Sequence, residues 1–183
     1  TGVTLHYVDE GVDTGPVVER VAFPIEPDDD AATLSERMRC EGLALIQRRW
    51  PSICSGAVAA VPQPPGSGSS YPLRTLADGV IDWSEPADRI CRLVRALVHP
   101  WPGATTVRGG EAIVVDRARP FANGDRRPGF AAAATAADPG TVLEVRGATL
   151  VVRAGLGLVE ILGWRPGAEA MGALEIRPGE RLG

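Results

Sequence analysis

The sequence contains no lysine; all 19 of its basic residues are arginine. Together with abundant alanine, glycine and proline, this points to a GC-rich coding sequence and says nothing about mechanism. No apolar run approaches the roughly 18 residues that a membrane-spanning helix needs, so no membrane partner is expected. The longest apolar candidate, Phe130 to Ala137, is mostly alanine, ends in Asp138-Pro139-Gly140 and reads as a loop. The cysteines, Cys40, Cys54 and Cys91, are odd in number, and no pair has metal-ligand spacing. Cys40 and Cys91 fall inside helical patterns, where a small buried thiol is expected, and a reducing, cytoplasmic setting fits. Thr1-Gly2-Val3-Thr4-Leu5-His6 shows no initiator Met and no basic-then-apolar leader. The sequence is therefore expected to be a piece of something longer.

What is present has an ordinary soluble composition, 44% hydrophobic and 23% charged, with a net charge of −4. That balance gives no strong field for a nucleic-acid partner. Val3 to Val8 and Val17 to Phe23 read as strands, joined by a turn-rich loop from Asp9 to Pro16. Asp28-Asp29-Asp30 precedes a helical pattern carrying Leu34, Met38, Leu45 and Trp50. The three carboxylates could cap that helix or hold a metal; capping is preferred, because no further ligands converge at suitable spacing. Ser55 to Tyr71 is rich in Gly, Ser, Pro and Ala and reads as a linker or surface excursion. A short helix follows, with Ser84 expected as its N-cap, Ile90, Leu93, Val94 and Leu97 as its apolar stripe, and His99-Pro100 as its stop. From Thr105 onward the chain is β-rich, with runs at Glu111–Val115, Thr141–Val145, Thr149–Arg153 and Leu158–Leu162. Short strands at that spacing predict a small barrel or sandwich.

The segment Thr1 to Val18, with Asp9-Glu10-Gly11-Val12-Asp13-Thr14-Gly15-Pro16 at its centre, strongly resembles the strand and loop around the catalytic aspartate of the folate-dependent formyltransferases. That superfamily includes glycinamide ribonucleotide, methionyl-tRNA and sugar N-formyltransferases. The resemblance continues through Pro24-Ile25-Glu26-Pro27-Asp28-Asp29, Arg74-Thr75, Ile81-Asp82-Trp83, Val94-Arg95-Ala96, Pro100-Trp101-Pro102-Gly103-Ala104 and Pro139-Gly140-Thr141-Val142, and ends at Gly179-Glu180-Arg181-Leu182. It implies an α/β fold, the C-terminal part of a Rossmann-like formyltransferase domain followed by a small β-barrel resembling an OB-fold. The implied divisions are residues 1–54 for the catalytic part, 55–98 for a linker and connecting helix, and 99–183 for the barrel. Two spatial units are expected, meeting near residue 98.

The resemblance also implies the chemistry, transfer of a formyl group from 10-formyltetrahydrofolate to a primary amine. The attack makes a tetrahedral oxyanion, which needs a hydrogen-bond donor and a route for the ammonium proton. The family uses an Asn-x-His motif with a distant Asp; the Asp matches Asp13, and His6 matches a supporting histidine that some members carry and others lack, with a half-buried strand histidine as the alternative. Glu10, Gly11, Val12 and Asp13 become the folate-binding loop, with Gly11 and Gly15 letting the backbone approach a flat pterin ring. No metal ligand is implied, and His99 is expected to be structural. The Asn-x-His motif does not occur; the one asparagine is Asn123. The chain taken alone is therefore expected to be inactive.

Two acceptors are weighed. Residues 108–183 carry ten Arg against nine acidic residues, and only Phe121, Phe130 and Trp164 there could offer stacking faces, which is weak for a nucleic-acid surface. Tyr71 to Gly79 looks more like the enzymes acting on amino sugar nucleotides. A small-molecule amine is thus expected ahead of initiator methionyl-tRNA. A homodimer is left open, and a reading of another class, an inactive binding or structural module, stands beside these.

Overall fold

The computed structural model describes residues 1–66, 68–121, 130–168 and 175–183. Ser67 of the expected linker and Asn123 lie outside the described residues. The chain forms two compact units, Thr1–Leu73 and Arg74–Gly183. No helix among the described residues is long and apolar enough to cross a membrane.

In the first unit, β1 (Gly2–His6) and β2 (Val17–Ala22) pair as an antiparallel hairpin with a register shift at Leu5/His6. The shift sits where β1 runs into the loop, as expected of a bulge that re-aims side chains at a strand end. Helix α1 (Ala31–Cys54) follows, with Asp30 as its N-cap. Asp30 accepts from the Thr33 N–H at 2.9 Å while the Thr33 hydroxyl accepts from the Asp30 N–H at 2.9 Å. Asp29 accepts from the Glu26 N–H and pairs with Arg37, whose guanidinium lies over the Phe23 ring. Glu19 of β2 is gripped by both Arg48 and Arg49, and their hydrogen bonds hold its carboxyl below the usual range. Of the expected apolar stripe on α1, Leu45 is fully buried, whereas Trp50 is exposed. Cys40, expected to be buried, is also exposed, because its position on α1 faces Glu36 and Arg39 rather than the hairpin.

The second unit opens with a 3-10 turn at Leu76–Gly79, closed by Asp78, which accepts from both the N–H and the hydroxyl of Thr75. Helix α2 (Ala87–Ala96) has Pro86 at its N-cap, not Ser84 as expected; the Ser84 N–H and hydroxyl are turned back onto Asp82. The expected stripe is largely realised, with Ile90 and Val94 buried beside Cys91. Burial pushes the Cys91 thiol up to about 11, so it packs as a small apolar group. The unit boundary therefore falls at residue 73/74, upstream of the division expected near 98, because α2 belongs to the core of the second unit.

That core lies under a five-stranded antiparallel sheet: β3 (Ala104–Arg108), β4 (Glu111–Pro120), β5 (Val142–Arg146), β6 (Thr149–Arg153) and β7 (Leu158–Pro166), in the order β3-β4-β7-β6-β5. Ile113, Val115 and Ala118 of β4 all face inward because bulges between Val115 and Ala118 reset the alternation. Val142, Leu150, Val152, Val159 and Ile161 complete the layer. The C-terminal residues join the two outer strands. Gly179, Glu180 and Leu182 exchange backbone bonds with Gly140 and Val142, and the Gly183 N–H reaches the Val107 carbonyl. Arg108 and Glu180 add an ion pair at 2.6 Å across the same seam. The sheet is thereby closed into a small barrel.

Phe130–Ala136, expected to be a loop, is helix α3. Alanine has the highest intrinsic helix propensity, and the flanking Pro and Gly obscured it. α3 supplies Ala134 and Phe130 to a second apolar cluster with Val151, Leu158 and Phe121.

Candidate active site

The loop between β1 and β2 is organised by Asp9, a residue that the sequence reading passed over. Its Oδ1 accepts from the Gly11 N–H at 3.1 Å and from the Thr14 hydroxyl at 2.6 Å. The Thr14 hydrogen bond holds the Asp9 carboxyl below its ordinary range, so it remains a charged acceptor at neutral pH. Gly11 and Gly15 have steric reasons within the chain itself. A Cβ on Gly11 would meet Thr14 Oγ1 at 2.1 Å, and one on Gly15 would meet the Tyr7 carbonyl oxygen at 1.7 Å. The loop closes on β1 through the Tyr7 N–H, which donates to the Pro16 carbonyl at 3.0 Å.

Asp13 sits at the apex in the left-handed region, φ 57°, a conformation that Asp and Asn tolerate better than most side chains. Its carboxylate is 87% exposed and its Oδ1 lies 3.7 Å from His6 Nε2. The other His6 nitrogen, Nδ1, is 2.8 Å from the Tyr7 carbonyl oxygen. A carbonyl can only accept, so Nδ1 carries a proton and Nε2 is the nitrogen turned toward Asp13. Glu10, Gly11 and Val12 are all exposed, with Val12 at 89%. The structure thus brings His6 and Asp13 together and leaves Glu10–Val12 as an open rim beside them.

Sequence reasoning also missed Gln63. Its side-chain amide donates to the Asp13 carbonyl at 2.8 Å and to the Gly15 carbonyl at 2.9 Å, across about fifty residues of chain. Val61 and Val17 exchange both backbone bonds at 2.8 Å. The segment expected to be a linker therefore begins as a third strand-like contact on the hairpin. A glutamine inside a Pro-rich stretch gave no signal of this. Among the described residues, no cluster of three or more His, Cys, Asp and Glu is grouped as for a metal.

Two families match the chain: "Formyl transferase" over residues 1–49 and "Formyl transferase, C-terminal domain" over residues 75–180. The chain belongs to the formyl transferase family. Among curated proteins it is 39% identical over 165 residues to a methionyl-tRNA formyltransferase of Acidiphilium cryptum, covering 85% of this chain and 49% of that protein. It is 34% identical over its full 183 residues to the Myxococcus xanthus protein of the same name, of which it covers 54%. The chain thus spans about half the length of the curated relatives it matches. Among solved structures, HypX from Aquifex aeolicus in complex with tetrahydrofolic acid superposes with a TM-score of 0.68 at 21% identity, covering 90% of this chain and 27% of that one. An N-formyltransferase from Helicobacter canadensis, in complex with folinic acid and dTDP-3-aminofucose, gives 0.62 at 19%, covering 87% of this chain and 54% of that one. At such identity these two establish the fold: the C-terminal part of a Rossmann-like formyltransferase domain, followed by a small OB-like barrel.

Proposed function

We propose that the protein is part of an N-formyltransferase that uses 10-formyltetrahydrofolate, with the Thr1–Leu73 unit as the end of the catalytic part and the Arg74–Gly183 unit, α2 included, as the barrel domain. The observation that carries this reading is the apposition of His6 Nε2 and Asp13 on a loop that belongs to a formyl transferase family match. The rim fits the donor. A pterin is flat, with polar groups along its edge, and Glu10–Asp13 offers exposed main chain, the apolar Val12 and two carboxylates. When bound, the donor supplies an activated formyl carbon.

The chain's own residues handle the proton. The Tyr7 carbonyl fixes the His6 tautomer, which leaves Nε2 to take a proton released as the amine becomes an amide. Asp13 stabilises the resulting imidazolium or relays the proton through water. Oxyanion stabilisation is assigned to residues outside this chain, since it has no Asn-x-His motif.

For the acceptor, the names of the curated relatives, methionyl-tRNA formyltransferases, support the methionyl-tRNA alternative. One observation favours an amino sugar nucleotide instead. In the second unit Arg89, Arg92, Arg108, Arg119, Arg165 and Arg177 are each paired with a carboxylate, which dilutes the field available to phosphates.

The test uses the full-length polypeptide that carries this chain. Formyl transfer to methionyl-tRNA and to an amino sugar nucleotide is measured side by side, with Asp13→Asn as control. That change is nearly isosteric and keeps a residue tolerant of φ 57°. Transfer is expected to fall on the order of a hundredfold or more. More than about a tenth of the wild-type rate would remove Asp13 from the proton path.

A further inference from the structure

We infer that Gln63 is a positioning residue that sets the backbone conformation of Asp13 from behind the loop; the inference rests on the catalytic reading of that loop given above. The geometry is specific. One nitrogen, Gln63 Nε2, has two hydrogens and meets two carbonyl oxygens, those of Asp13 and Gly15. These flank Thr14, so the pair of bonds spans the turn in which Asp13 takes its left-handed φ. The amide cannot be reversed without loss. Gln63 Oε1 lies 3.4 Å from Arg20 Nη2, and a guanidinium only donates, so the amide oxygen faces β2 and the amide hydrogens face the loop.

The two Val17–Val61 backbone bonds fix the segment two residues upstream, so Gln63 reaches the loop from an anchored base. Asp9 braces the loop from within through Gly11 and Thr14, whereas Gln63 braces the half that carries Asp13. A catalytic carboxylate 87% exposed has little packing to hold it. Its direction therefore depends on its main chain, and misplacement by about 1 Å can cost orders of magnitude in rate.

Two variants test this. Gln63→Met keeps size and removes both donors; Gln63→Glu is isosteric, without donors when ionised and with one when protonated. In the full-length polypeptide, backbone resonances of Asp13, Thr14 and Gly15 should move in both variants while those of Val3 and Val21 in the hairpin stay. In Gln63→Glu the loop resonances should return part-way toward wild type as pH falls and the carboxyl is protonated, a rescue that loss of packing alone would not give. In steady state kcat should fall about tenfold, with KM for the amine within about twofold. Unmoved loop resonances overturn the inference whatever the kinetics. Moved resonances with unchanged kcat, in a protein that Asp13→Asn inactivates, overturn it too. An active Asp13→Asn variant would bring down the catalytic reading and the kinetic half of this inference with it, leaving the brace to be judged on its resonances.

Discussion

The Thr14 hydroxyl and the Gly11 N–H, five and two residues further along the chain, converge on one oxygen, Oδ1 of Asp9. This makes Asp9 the internal post of the loop that presents Asp13.

Asp9→Ala should therefore impair formyl transfer in the full-length polypeptide without unfolding it. Two hydrogen bonds to a charged acceptor are lost at an exposed site, where water replaces them, so the urea midpoint should hardly move. Transfer should fall roughly tenfold, through displacement of Asp13. The check pairs a urea melt with a formylation assay; a variant as active as wild type would show that Asp9 is dispensable.

Gly15→Ala should be more severe than an ordinary loop substitution. The new Cβ would fall inside the contact distance of the Tyr7 carbonyl oxygen, so the loop must lift from β1. The Tyr7–Pro16 bond and the Gln63–Gly15 bond are both expected to break. Hydrogen exchange reads this directly, as faster exchange of the Tyr7 amide with no change at Val3.

The barrel seam carries a pH signature. Glu180 accepts two hydrogen bonds from Arg108 and one from the Arg177 N–H, which hold its carboxyl below the ordinary 4.5. A depressed folded-state value means that the stabilisation is complete above 4.5, the unfolded value, and is lost as pH falls through the folded one. The stability difference between wild type and Glu180→Gln should accordingly be constant at neutral pH and shrink below about pH 4.5. Urea melts over that window measure it, and a gap that widens toward acid would contradict the assignment.

Leu182→Ala probes the same seam from its apolar side. Leu182 is 1% exposed, two residues along the chain from Glu180, the Arg108 partner, and packs in the main core. Truncation should cost about 2–5 kcal/mol, read as a lowered denaturation midpoint of the second unit. A loss under about 1 kcal/mol would mean that the tail is not part of the core.

Much of this architecture was legible in the residues. Alternation gave both strands of the hairpin, and the aspartate run ahead of the helical pattern gave the start of α1. Periodicity gave the stripe of α2, and the short β runs gave four of the barrel's strands. α3 was hidden because an alanine run between Pro/Gly turns has no amphipathic period. The site divided along the same line. His6 and Asp13 are close in sequence, and the hairpin loop brings them to 3.7 Å. Asp9 looked like one more turn residue, and Gln63 acts across fifty positions, which no local pattern encodes.

The Val17–Val61 bridge and the Gln63 amide have a practical consequence for anyone recombining these units. A chimaera joined at residue 55, where the composition changes, would bring in a foreign stretch where the loop's outer brace belongs. Its acceptor preference would then be measured on a distorted Asp13. A junction placed after Gln63 and before Arg74 keeps the brace with its own hairpin, so a change in substrate choice could be credited to the grafted barrel.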